Sequence, residues 1–158
     1  MLSRFVGREK ELQELISLTK KKSASLVVIR GRRRIGKSRL AEEFSKQFKK
    51  AYIFSGLAPD DRVTADDQRT EFIRQMHEQR IPSTGQQDWG TLFYDLAHFS
   101  QQGPTLVVLD EITWMGELDP TFLGKLKIAW DRHFKQNPNL ILILSGSNSA
   151  WIDRKSVV

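Results

Sequence analysis

The sequence predicts an α/β fold of three layers, with a mainly parallel sheet of at least four strands and helices on both faces. Three observations predict it. Residues 26–29, 51–54, 105–109 and 140–144 form short apolar runs. Apolar residues recur at helical spacing in the segments between them. A glycine–lysine loop joins the first run to the helix expected after it. Apolar runs without polar alternation need cover on both faces, as the central strands of a parallel sheet do.

Taken in order, Leu12, Leu15 and Ile16 mark a first amphipathic helix over about residues 8–21. Leu26, Val27, Val28 and Ile29 form the first strand. Leu40, Ala41, Phe44 and Phe48 give the next helix, and Ala51, Tyr52, Ile53 and Phe54 the second strand. Residues 59–67 are polar and read as a loop, with Asp60, Asp61, Asp66 and Asp67 solvated in it. Phe72, Ile73 and Met76 give a helix that ends before Pro82. Asp88 caps another, whose Trp89, Leu92, Phe93, Leu96 and Phe99 share a face. The third strand follows Gly103 and Pro104. Phe122, Leu126, Ala129 and Trp130 give the next helix, and residues 137–139 end it before the fourth strand.

The 158 residues fit one domain spanning the whole chain, residues 1–158. With 39% hydrophobic and 28% charged residues, wholesale disorder is excluded. No cysteine is present, which excludes disulfides and thiolate metal sites, fits a reducing cytosol and makes a cytoplasmic location the expectation. The first eight residues are too polar for a signal peptide's apolar segment, and every apolar run is far below the ~18 residues needed to span a bilayer. No membrane partner is expected. The net charge of +6 permits phosphate or nucleic-acid ligands, but no basic stripe interleaved with aromatics indicates single-strand binding.

Gly31, Arg32, Arg33, Arg34, Ile35, Gly36, Lys37 and Ser38 match G-x-x-x-x-G-K-[ST] at every fixed position. The glycines let backbone N–H groups turn toward phosphate oxygens, and the loop opens a helix whose N-terminus favours anions. Lys37 reaches the β- and γ-phosphates, and the Ser38 hydroxyl ligates Mg²⁺. Arg32, Arg33, Arg34, Ile35 and Arg39 complete the expected nucleotide-binding segment. Arg32, Arg33 and Arg34 contact phosphate or a neighbouring chain, or else point into solvent.

The third apolar run ends in Asp110 and Glu111. Asp110 belongs to the Mg²⁺ shell, and Glu111 polarises the attacking water as general base. The pair alone is a weak signal and becomes a strong one beside the phosphate loop. Glutamate directly after aspartate favours hydrolysis, since transfer of phosphate to a bound substrate needs no water-activating group there. The fourth strand ends at Ser145, Gly146, Ser147, Asn148 and Ser149. Ser147, with Asn148 as alternative, is placed to hold the attacking water or sense the γ-phosphate.

These four segments occur in order: Phe5-Val6-Gly7-Arg8-Glu9, the loop through Leu40, Leu109-Asp110-Glu111, and Leu144-Ser145-Gly146-Ser147. Together they resemble the archaeal and bacterial ATPase family of AAA+/STAND type over nearly the whole chain. The resemblance implies ATP with Mg²⁺, a sheet of order 5-1-4-3-2, and Val6, Gly7 and Arg8 near the adenine. Family members continue into a fifth strand, a helical lid and often a DNA-binding part. Residues 151–158 are too few for a helix and a strand, so the expectation is a core that stops before them. Nucleic acid would then be reached through a further C-terminal part. The first strand would be an edge, exposed to self-association.

His77, His98 and His133 have no partner at metal spacing and read as surface or packing residues. Trp89, Trp114, Trp130 and Trp151 read as core or interface. Three functions follow in order. The first is Mg²⁺-dependent ATP hydrolysis driving a conformational step in a larger protein. The second is a nucleotide-gated switch holding ATP or ADP with little turnover, and the third a DNA-associated ATPase module.

Overall fold

The computed structural model describes residues 9–30 and 36–146. Its elements run α1 (Glu9–Leu18), β1 (Ser25–Arg30), α2 (Lys37–Ser45), β2 (Lys50–Ser55), α3 (Ala65–Glu78), α4 (Trp89–Phe99), β3 (Thr105–Asp110), α5 (Ile112–Gly116), α6 (Phe122–Arg132), a 3₁₀ turn (Phe134–Gln136) and β4 (Leu140–Gly146).

The four strands form one parallel sheet in the order β1-β4-β3-β2. Parallel neighbours need crossovers, and helices supply each of them. Every residue of β3 and β4 is buried, as their unbroken apolar runs require. Side chains alternate between two cores. Leu106, Val108, Ile141, Ile143 and Ile29 pack with Leu15 of α1 and Leu40, Ala41 and Phe44 of α2. Val107, Leu109, Leu142 and Leu144 face the other way, onto α3, α4, α5 and α6. There Phe72 stacks on Phe54 with ring centroids 4.4 Å apart, and Trp89 packs edge-on to Phe122 at 4.8 Å. Such pairs add about 0.5–1.5 kcal/mol each beyond their buried area.

Four local readings change. The first helix stops at Leu18 rather than near residue 21. The Ser17 and Thr19 hydroxyls donate to the carbonyls of Glu14 and Ile16, and the backbone beyond tightens to i→i+3 bonds. Phe48 lies past the end of α2, yet still packs edge-on to Phe44. Asp66 and Asp67 are exposed, but they belong to the first turn of α3, not to a loop. Thr64 and Asp67 form a reciprocal capping box that starts the helix there. The short α5 directly after the acidic pair was not foreseen, since five residues carry too little periodicity to read.

The β1 strand pairs with β4 only, among the described residues. The reading of residues 151–158 lies outside the described residues.

Candidate functional site

The site assembles at the carboxyl ends of β1, β4 and β3, which lie side by side. In open α/β sheets these ends line the ligand crevice. Gly36 precedes α2 with φ 87°, a left-handed conformation that glycine takes without a Cβ clash. Its carbonyl accepts the first helical bond, from Leu40 N–H at 2.9 Å. α2 therefore starts at Lys37, and the N–H groups of its first turn have no partner within the helix. Ser38 lies in this first turn, and Arg39 is exposed beside it.

Sheet parity decides which side chains meet. Asp110 continues the Leu106, Val108 face of β3, and Ser145 continues the Ile141, Ile143 face of β4. Both therefore face α2. The Asp110 carboxylate collects three donors: Ser38 Oγ–H to Oδ2 at 2.6 Å, Ser145 Oγ–H to Oδ1 at 2.6 Å, and Glu111 N–H to Oδ1 at 3.0 Å. Hydrogen bonds to an ionised carboxylate are short and strong, and three of them fix its plane. Asp110 is only 9% exposed.

Glu111 is buried and sits at the cap of α5 with φ 50° and ψ 51°. A non-glycine residue there costs about 1–2 kcal/mol. Two backbone bonds and one to a side chain hold the turn. Gly56 N–H donates to Asp110 O at 3.1 Å, Met115 N–H to Glu111 O at 3.2 Å, and Glu111 N–H to its neighbour's carboxylate. The conformation swings the chain sharply from β3 into α5, so Asp110 and Glu111 leave the strand in different directions.

The sequence-predicted residues fall into three groups. Ser38 and Asp110 are in direct contact, and Glu111 is bonded to Asp110 through its backbone. Gly36, Lys37 and Arg39 are placed by their backbone at the start of α2. Val6, Gly7, Arg8, Gly31, Arg32, Arg33, Arg34, Ile35 and Ser147 lie outside the described residues, as does Asn148. Two contributors were missed, Ser145 and Gly56. Ser145 could have been found as the first hydroxyl in step with Ile141 and Ile143, since a buried polar group in a central strand needs a partner. Gly56 carries no such signal, because its role depends on how closely β2 approaches α5.

His77 meets Ser83, His98 meets Gln101, and Tyr94 packs against the rings of both His98 and His133. Among the described residues no cluster of three or more His, Cys, Asp or Glu could hold a metal. A phosphate-bound cation does not need one, and the donor set here fits Mg²⁺. Ser38, having given its one proton to Asp110, keeps its lone pairs for a cation, and hard oxygen donors are what Mg²⁺ takes. No helix among the described residues is long and apolar enough to cross a membrane.

Residues 4–143 match the model of the AAA ATPase domain family, and the chain belongs to that family. Its fold is similar to a Walker-type ATPase of Pyrococcus abyssi, at TM-score 0.64 and 19% identity over 97% of this chain and 48% of that one. It is also similar to Cdc6p of Pyrobaculum aerophilum, at 0.63 and 18% over 95% and 41%. The Aeropyrum pernix ORC2 protein, solved in ADPNP–ADP complexes, matches at 0.61 and 16% over 96% and 44%. The chain thus spans less than half the length of each. No curated protein matches it.

Proposed function

We propose that this member of the AAA ATPase domain family binds ATP with Mg²⁺ at the 31–38 loop and hydrolyses it, to drive a conformational step in a larger protein. The single observation that carries the reading is the Ser38–Asp110 pair, which joins the first turn of α2 to the end of β3 at 2.6 Å. That contact puts a hydroxyl and a carboxylate at the anion-favouring end of a helix. The nucleotide in the Aeropyrum pernix ORC2 structure supports the ligand class.

In this reading Gly31, Arg32, Arg33, Arg34, Ile35 and Gly36 wrap the phosphates, and Lys37 binds the β- and γ-phosphates as a point charge. Arg39 stays at the rim. Val6, Gly7 and Arg8 lie near the adenine. Ser38 and Asp110 would hold Mg²⁺, which would supply positive charge to offset that of the phosphates. Glu111 accepts a proton from the attacking water, and Ser147 orients that water.

Glu111→Gln tests the step. The amide keeps the shape and cannot accept the proton. The variant should bind ATP and Mg²⁺ as the parent does, while single-turnover hydrolysis falls about 10²–10⁴-fold. Equal loss of binding and turnover would make Glu111 a structural residue.

A further inference from the structure

We propose that Ser145 is a positioning residue for the Mg²⁺-side carboxylate, holding Asp110 so that its second oxygen faces Ser38 and the cation. The inference rests on the reading of Ser38 and Asp110 as the metal-side pair.

Ser145 is fully buried, in a strand whose preceding five residues are all Leu or Ile. An unpaired hydroxyl at that depth costs about 1–3 kcal/mol. It is paired, at 2.6 Å, with Oδ1 of Asp110. An ionised carboxylate cannot donate, so the proton of this bond comes from Ser145. Oδ1 also receives Glu111 N–H, and these two donors come from different directions, one across the sheet from β4 and one along the chain. The terminal torsion of aspartate is otherwise broad. With Oδ1 anchored twice, that torsion is set, and Oδ2 points to Ser38 at the start of α2. Four lone-pair sites serve the carboxylate, and among the described residues three are taken, leaving one on Oδ2, the oxygen toward Ser38.

The chain Ser145–Asp110–Ser38 thus ties the ends of β4 and β3 to the first turn of α2 through three side chains on one face of the sheet. A Ser145→Ala chain keeps Ser38 and the backbone anchor, but its carboxylate loses one of the three donors that fix its plane and leaves Oδ1 held by the backbone alone. Outer partners of metal-binding groups commonly contribute 10–100-fold to metal affinity.

The test is a titration of a fluorescent ADP analogue at a series of Mg²⁺ concentrations, read as the Mg²⁺ needed for half of the affinity gain. Ser145→Ala should need about 10–100-fold more Mg²⁺, with the affinity in EDTA unchanged. Ser145→Thr, which keeps the hydroxyl, should restore the parental requirement. If alanine fails to fold, Ser145→Cys, a weak donor of similar size, must show the raised requirement. A parental Mg²⁺ dependence in Ser145→Ala overturns the proposal, and so does an equal rise in the alanine and threonine variants. If the parent itself gains no affinity from Mg²⁺, the assignment of Ser38 and Asp110 falls, and the role of Ser145 with it. A parental gain with no effect of Ser145→Ala removes the role of Ser145 alone.

Discussion

Substituting Gly56 by alanine probes how the turn at Glu111 is held. A Cβ on Gly56 would sit 2.7 Å from Glu111 O, 2.8 Å from Met115 N and 3.0 Å from Trp114 Cβ. Two of these three are backbone atoms of the turn and of α5, so no rotamer change relieves the clash. Either β2 or α5 must move. Overpacking of this kind costs about 1–3 kcal/mol, which for a chain of this size lowers Tm by roughly 2–12 °C. The shift falls on the segment that begins with Glu111, and a displacement of about 1 Å at a reacting group can cost on the order of 10²-fold in rate. The clashing atoms belong to Glu111, Trp114 and Met115, and none to β1 or α2. Gly56→Ala should therefore hydrolyse ATP about 10–100-fold more slowly in single turnover, with nucleotide affinity retained. Thermal unfolding by circular dichroism and phosphate release measure the two effects. Parental Tm together with parental turnover would refute the packing argument. A loss of affinity as large as the loss of rate would refute its confinement to Glu111.

Lys37→Ala removes a charge-assisted contact of about 1.5–3 kcal/mol and should weaken ATP binding roughly 10–100-fold by calorimetry; unchanged affinity would contradict the loop assignment. Asp88 caps α4 through Thr91 N–H, and its bond with Lys125 holds its carboxyl below the usual carboxylate range. Asp88→Ala should cost about 0.5–2 kcal/mol at neutral pH. Because this carboxyl titrates lower folded than unfolded, its contribution is full above the unfolded value near ~4 and is lost as pH falls through the folded one. The Tm gap between parent and variant should therefore close in acid, and a gap that widens there would contradict the assignment.

The sheet was legible because its strands are unbroken apolar runs, a pattern that a doubly covered parallel sheet accommodates, and because helical spacing separates them. The order β1-β4-β3-β2 is not written in any one strand and entered through the resemblance. At the site, the motif spacing placed Ser38, Asp110 and Glu111 in one site, and the structure puts Ser38 and Asp110 in contact. Ser145 is not distinguished from Ser147 by the sequence, since both follow the apolar run 140–144 at the same parity. Its function needs the parity of β4 and its adjacency to β3 at once. The left-handed turn at Glu111 escaped for another reason: glycine or asparagine signals such a turn, and glutamate does not. Asp66 and Asp67 were misread because a capping box that closes with aspartate in place of glutamate looks like a polar loop.

Calorimetric titration of the parent chain with ATP, with and without Mg²⁺, tests the central claim most directly. Binding with one ATP per chain, strengthened by Mg²⁺ and weakened in Lys37→Ala, is the predicted result. No binding of ATP by a folded chain, or binding indifferent to both Mg²⁺ and Lys37, would contradict it.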